Sequence, residues 1–413
     1  MRGRLYIALL GLFFVLTAHA QQPGDGAVVA TSPSVTVPEP EPVPAGERPP
    51  LASPEDPAAQ AAPPAPSETA PRPTRPVRFQ ADARTGVYQD SDHTTISTTT
   101  AAARALIKDR VQITGRYLVD VVSSASVDVV TAATAGFRDI RHEATAGVGY
   151  HDGTNTIDIG YIYSGENDWW SHTVDLGLSR DFLQHNLTLG IGLSGVLNDV
   201  GRSGDRNFHR SLDVFGASAT AAWTPSRRDV ISLTYTLSYL NGYQASPYRY
   251  VVFTNPQGLR ESVAENVPEQ RLRSALAVQW KRHVQQSSAV HLHARGYIDD
   301  WQVLSLTTGV AYLIERGNFV ISPHLRGYVQ RHAGFYQGQY TQRVNFMTFD
   351  RELSTFIDGF LGLRAGWVRR NLGPLSELRL DAKFDGFGFY FFDFPRLQSR
   401  YGLVAEFALG VTL

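Results

Sequence analysis

Between positions 271 and 385, charged and imidazole side chains recur at every second residue. One run is Arg271, Arg273, Gln279, Lys281 and His283, and a second is His291, His293, Arg295, Tyr297 and Asp299. His324, Arg326, Tyr328 and Gln330 repeat the pattern, followed by Asp358 and Arg364, then Glu377, Arg379, Asp381, Lys383 and Asp385. Spacing by two puts each run on one face of a β-strand. Such a face does one of two things. It lines a pore as a basic, anion-favouring track through Arg271, Arg273, Lys281, His291, His293, Arg295, His324, Arg326, Arg364 and Arg379. Alternatively, its arginines and aspartates pair across strands and fill the interior. Both readings stay open on the sequence alone.

Other chemistry fits less well. His291, His293 and His324 offer nitrogen donors, but their strands are not sequence neighbours, which sets His324 about two inter-strand spacings of ~4.8 Å away. No metal site is expected there. Serine, histidine and aspartate are plentiful, yet no nucleophile-elbow spacing or other hydrolase pattern occurs, so no catalytic residue and no cofactor are assigned. The acids of 199–205 (DVGRSGD) are spaced wrongly for an EF-hand loop.

The elements that carry these faces are strands. In 401–413, Tyr401, Leu403, Ala405, Phe407, Leu409, Val411 and Leu413 alternate with Gly402, Val404, Glu406, Ala408, Gly410 and Thr412. That is long enough to cross a bilayer at a tilt, with lipid on one side and a wet lumen on the other. Its apolar last residue, with Val411 and Glu406 upstream, is similar to the assembly signal of outer-membrane barrels, with Leu413 in place of the usual aromatic. About sixteen such strands (fourteen to eighteen) are expected. They lie near 78–91, 94–106, 110–122, 141–151, 155–165, 169–181, 186–198, 208–223, 230–242, 271–283, 289–300, 303–314, 318–331, 353–369, 376–389 and 398–413.

Connection lengths then sort into two sets. One is short, as at Lys108 and Asp109, 152–154, 224–228 and 315–317; the other holds the long stretches 123–140, 243–270 and 332–352. Short turns at one end and long loops at the other fit a transmembrane antiparallel up-and-down β-barrel rather than a soluble sandwich. Trp169, Trp170, Trp223, Trp301, Trp367 and the run 387–394 (FGFYFFDF) are expected to form interfacial girdles. Strands before about 240 point Gly, Ser and Thr inward, whereas later strands point charges inward, so a bare wall should face a charged one.

The rest of the chain gives an address. Arg2 and Arg4 precede an apolar run that ends in Ala18, His19 and Ala20, the pattern of a signal peptide over 1–20. Residues 21–77 are rich in Pro, Ala, Glu, Ser and Thr, and read as a disordered periplasmic linker reaching on the order of 170 Å if extended. The barrel domain then occupies 78–413. Cysteine is absent, which excludes disulfides and thiolate chemistry, and a net charge of -1 makes no case for nucleic acid. Only Lys108, Lys281 and Lys383 are lysines among 38 basic residues. Coding bias explains that excess of arginine as well as any function does.

The segments 239–251 (YLNGYQASPYRYV), 265–273 (ENVPEQRLR), 295–301 (RGYIDDW) and 324–336 (HLRGYVQRHAGFY) resemble the landmarks of a family of bacterial outer-membrane barrels catalogued as a domain of unknown function. The similarity covers most of the chain after about residue 110. It implies fold and location and supplies no activity. A weaker architectural likeness is to barrels that partner short periplasmic polysaccharide-export proteins. The resulting expectation is a pore or translocon, with polysaccharide export through a periplasmic partner as its most specific form. A diffusion porin and a non-conducting surface scaffold are the alternatives, and an outer-membrane enzyme is the least favoured. The expected partners are outer-membrane lipids, the barrel assembly machinery and a periplasmic export protein.

Overall fold

The computed structural model describes residues 77–124, 137–285 and 287–413. The expected signal peptide and nearly all of the linker lie outside the described residues, as do positions 125–136 of one long loop. Among the described residues eighteen strands follow in chain order. β1 to β9 are Val77–Asp90, Thr94–Ile107, Val111–Ser124, Phe137–His151, Asn155–Gly165, Trp169–Phe182, Leu187–Val200, Arg210–Ser226 and Asp229–Gly242. β10 to β18 are Tyr250–Thr254, Arg260–Ala264, Gln270–Gln285, Ser288–Asp299, Leu304–Arg316, Phe319–Arg331, Phe356–Leu372, Leu375–Phe391 and Ser399–Thr412. All sixteen expected strands are present.

Sixteen strands form one closed antiparallel barrel, each beside its sequence neighbour, with β9 next to β12 and β1 sealed against β18. The seam runs from Gln80 opposite Thr412 to Asp90 opposite Gly402. Closure leaves no strand edge with unpaired backbone groups, which an element crossing a bilayer requires. β10 and β11 stand apart as a two-stranded hairpin inside the 243–269 loop. The sequence reading missed this hairpin.

The alternation has a physical cause, because each strand meets two solvents. Outward positions are apolar and open, with Leu361 and Leu403 at 68% and 67% exposure. A water-facing sheet does not keep a continuous apolar wall of that kind; a lipid-facing one does. Inward positions carry the polar and small residues. The turn chemistry agrees at one end: Gly153 and Gly317 take positive φ values of 101° and 61°, and Lys108 and Asp109 form a two-residue turn with φ of 51° and 54°.

The opposite end is built differently. Apolar side chains fill the barrel there, one group being Tyr88, Ile96, Phe356, Phe387, Phe389 and Phe391. A second group, Trp169, Val196, Val200, Leu212, Val214 and Leu240, packs inside β6 to β9. Two more join the hairpin and the 332–355 loop, around Trp301, Tyr336 and Leu353 and around Val251, Tyr340 and Phe349. This corrects part of the girdle expectation, although Trp170 and Trp223 do face out at 37% and 47% exposure. Of the run 387–394, only Tyr390 and Phe392 face out at 40% and 60% exposure; Phe387, Phe389, Phe391 and Phe394 are buried, as are Trp169 and Trp301. Period two within the run sends alternate rings to opposite faces, so proximity to a strand end was a poor guide.

Candidate functional site: the lumen and its cap

The inward-facing charges of β12 to β18 fall into two classes. On β15 to β18 they pair. Arg326 donates to Asp358 at 2.8 Å, Arg364 to Asp381 at 2.8 Å, and Arg379 reaches the other Asp381 oxygen at 3.1 Å. His324 Nε2 meets Asp385 Oδ1 at 2.5 Å, while Lys383 Nζ lies 3.0 Å from Asp385 Oδ2. Here the interior-filling reading holds. Each guanidinium is neutralised by a neighbour, and the wall presents little net field to the lumen.

β12 and β13 differ. Lys281 sits opposite His291 in the ladder and Gln279 opposite His293, with Arg295 next along the same face. Among the described residues no carboxylate lies within ion-pair distance of Lys281 or Arg295. All four of Lys281, His291, His293 and Arg295 are half-buried. His293 lies against Gly309, where a Cβ would fall 2.0 Å from its ring. Any larger residue at 309 would displace the imidazole.

Arg271 and Arg273, which the sequence groups with this strip, belong to the other end. Arg271 donates to Asp299 at 2.8 and 2.5 Å and stacks 4.1 Å over the Trp301 ring, fully buried under the loops. Arg273 pairs across the ladder with Asp299 and has further partners. Of the three imidazoles considered for a metal, His291 and His293 lie on β13 and His324 on β15 with β14 between them, and His324 is hydrogen-bonded to Asp385 at 2.5 Å.

Beside the basic strip, β7 to β9 turn Gly190, Gly192, Ser194, Gly216, Ser218, Thr234 and Thr236 inward, a wall of hydrogen and hydroxyl groups. Next to it, β6 carries Asp175, whose two oxygens are buried with no partner among the described residues. The bare wall of the sequence reading is therefore confined to β7 to β9, because β3 and β4 turn charges inward, Arg116 donating to Glu143 at 2.9 Å and Arg141 to Asp120 at 3.0 Å. It is bordered by unpaired cations on one side and an unpaired carboxylate on the other.

A cap crosses the loop end. Arg351, in a short helical turn Arg351–Leu353, reaches Asp92 in the β1–β2 turn at 2.5 Å, and each side chain is 3% exposed. Tyr336 OH donates to the Asp393 carbonyl between β17 and β18. From the same loop Thr348 donates to Glu265, which also accepts from Ser246 N at 2.6 Å and from Arg249 at 3.1 Å. Burial raises the Glu265 pKa against the pull of Arg249. On the far side Tyr248 OH donates to Asp168, and Ser203 N donates to Tyr248 OH. The chain of contacts thus runs from the β5–β6 loop, through 243–269 and 332–355, to the β1–β2 turn.

At one end of that chain Asp139, Glu166 and Asp168 bring carboxylate oxygens within 4.8 Å of one another. Burial and the nearby Asp139 push Glu166 up to about 8 and Asp168 up to about 6. No local pattern signals this cluster, because Asp139 and Glu166 meet only through strand pairing.

Comparison with known proteins adds a family match and several barrels. Residues 132–229 and 224–366 match the family described as Protein of unknown function (DUF3570). No curated protein matches the sequence. Among solved structures, a "Bacterial polysaccharide outer membrane secretin" is similar at 11% identity and a TM-score of 0.45, over 82% of this chain and 98% of that one. "CdiB from Acinetobacter baumannii" is similar at 9% identity and 0.46, over 82% and 60%. OccD3 (OpdP) of Pseudomonas aeruginosa follows at 8% and 0.43, over 82% and 91%. At these identities and TM-scores the likeness assigns nothing to this chain.

Proposed function

Since the chain belongs to the DUF3570 family, we propose that it is a gated conduit of the bacterial outer membrane that passes a hydrophilic, anionic substrate. The observation that carries this reading is the unpaired strip of Lys281, His291, His293 and Arg295 beside a wall of glycine and hydroxyl side chains. A scaffold lumen has no need of unpaired cations, whose desolvation is costly, whereas an anion path uses them. Small inward residues leave room, and hydroxyls hydrogen-bond a polar chain without holding it. The proposal includes no enzymatic step.

The most specific form of the proposal is polysaccharide export with a periplasmic partner. In it the loop end faces outward, the turns face the periplasm, and the proline-rich stretch 21–77 tethers the partner and raises its effective concentration. The cap argues against a simple diffusion porin, since a porin needs no buried ion pair across its mouth. Planar-bilayer recording tests the conduit. Once the cap is opened, current should favour anions, and Lys281→Glu with Arg295→Glu should shift selectivity towards cations. Unchanged selectivity sinks the track. Deleting 33–76 tests the tether: export or partner co-purification should fall while the barrel still folds, and full export without the segment returns the reading to a porin.

A further inference from the structure

The outer wall carries opposite charge patterns at its two ends. At the turn end, ladder pairing joins Phe182, Leu187, Trp223, Ile231 and Trp280 into one outward row. A second outward row joins Arg316, Phe319 and Trp367. Interleaved with these rings are four exposed arginines, Arg180, Arg282, Arg316 and Arg369. Arg180 lies 5.5 Å from the Phe182 ring centre and Arg282 lies 5.7 Å from that of Trp280. Among the described residues the one acid facing out between them, Asp229, accepts from Trp280 Nε1 at 2.9 Å and sits 3.5 Å from Arg282. At the loop end the corresponding outward strand positions carry Asp199, Asp213 and Arg331 among the described residues. One rim is basic and the other is slightly acidic.

We propose that the turn-end rim is a binding surface for anionic phospholipid headgroups. The apolar wall below it already lies against acyl chains, so whatever meets Arg180, Arg282, Arg316 and Arg369 sits where the headgroups of that leaflet sit. Each arginine has an aliphatic stem long enough to snorkel along the wall, and a guanidinium fork matched to a phosphodiester. The ring beside Arg180 leaves its charge intact, and Arg282 shares its own with Asp229, so Arg180, Arg316 and Arg369 carry the net charge of the rim. A second copy of the chain is a poor occupant, because a two-fold contact would set this basic rim against itself. An acidic protein partner would satisfy the charge but not the aromatic row, which fits the lipid interface.

The test is lipid retention by the purified full chain. Detergent-solubilised protein is offered equal phosphatidylglycerol and phosphatidylcholine, and the lipids that stay bound are counted by native mass spectrometry. The wild type should retain phosphatidylglycerol several-fold over phosphatidylcholine, and the preference should fall as salt is raised. The variant Arg180→Gln, Arg282→Gln, Arg316→Gln, Arg369→Gln should lose it, while Arg260→Gln with Arg331→Gln at the loop end should keep it. Equal retention of both lipids by the wild type overturns the proposal, as does a preference that survives in the fourfold variant or that is lost in both variants alike. Should the fourfold variant fail to fold, the salt series on the wild type decides, and a preference indifferent to salt counts against it.

Discussion

The turn end and the cap end of this barrel are stabilised at opposite ranges along the chain. At the turn end each connection is two to four residues long and is fixed by its own neighbours, as when the Asp152 carboxylate accepts from Thr154 N at 2.9 Å and Asn155 N at 2.7 Å. At the cap end Arg351 finds Asp92 across 259 residues, and Thr348 finds Glu265 across 83. Local hydrogen bonds close the turns whatever the cap does. The cap, by contrast, rests on a few buried contacts between loops that are otherwise independent. A structure of this kind can open at one end without unfolding at the other.

Cutting the longest of those contacts should have the largest effect. Arg351→Ala removes one half of an ion pair whose members are each 3% exposed, and breaking such a pair costs about 3–5 kcal/mol. The barrel is expected to keep its heat-modifiable migration on gels while bilayer conductance rises from near zero to long open events. A variant that fails to form a barrel at all would make the two ends one cooperative unit and end the comparison. Asp92→Ala should behave in the same way.

A smaller effect is expected at the other foot of the cap. Tyr248→Phe removes the hydroxyl that donates to Asp168 and accepts from Ser203 N, a loss of about 1–3 kcal/mol. Brief partial openings should appear in single-channel records, without the sustained opening of Arg351→Ala. Equal behaviour of the two variants would mean that the cap moves as a rigid lid rather than loop by loop.

The same foot should respond to pH. Glu166 in the folded protein holds its proton up to about 8 and Asp168 up to about 6, both above the unfolded carboxyl range near 4. The folded state therefore binds more protons than the unfolded one in that window, so stability is greatest at low pH and declines as pH rises through it. Openings should be more frequent at about pH 9 than at about pH 5, and Glu166→Gln should flatten the difference. A wild type whose opening rate is the same at both values removes Glu166 from the gate.

How much of this was legible follows the same division. The sixteen strands could be read because each lies between lipid and lumen, and a period of two records both solvents in one stretch of sequence. The inward charges were legible for the same reason, including Lys281, His291, His293 and Arg295. Their pairing was not. Nothing near Arg271 in sequence says that Asp299 lies 2.8 Å away while Arg295 has no acid, because that depends on register and on which end of the strand each occupies. The hairpin of β10 and β11 left a signal that could have been used, Asn255, Pro256, Gln257 and Gly258 between two alternating runs. The cap left none, since its contacts join loops that no local pattern connects.

The smallest effect belongs to the turn end, where it checks the other half of the comparison. Asp152 is exposed, and the backbone and side chain of Asn155, with the Thr154 N–H, hold its carboxyl down to about 2. A lowered carboxyl stabilises the fold fully above its unfolded value of 3.8, and that contribution is lost as pH falls towards about 2. Asp152→Ala should therefore lower the melting transition slightly at neutral pH, by a few degrees at most, and by much less near pH 2, where the wild-type carboxylate is itself about half protonated. Thermal scans of the gel-shift transition at the two pH values measure this. Conductance should stay at the wild-type level throughout, because a turn closed by its own residues sends no contact towards the cap. An Asp152→Ala barrel that opened like Arg351→Ala would show that the two ends are coupled through the strands, and the separation of local turn from long-range lid would have to be given up.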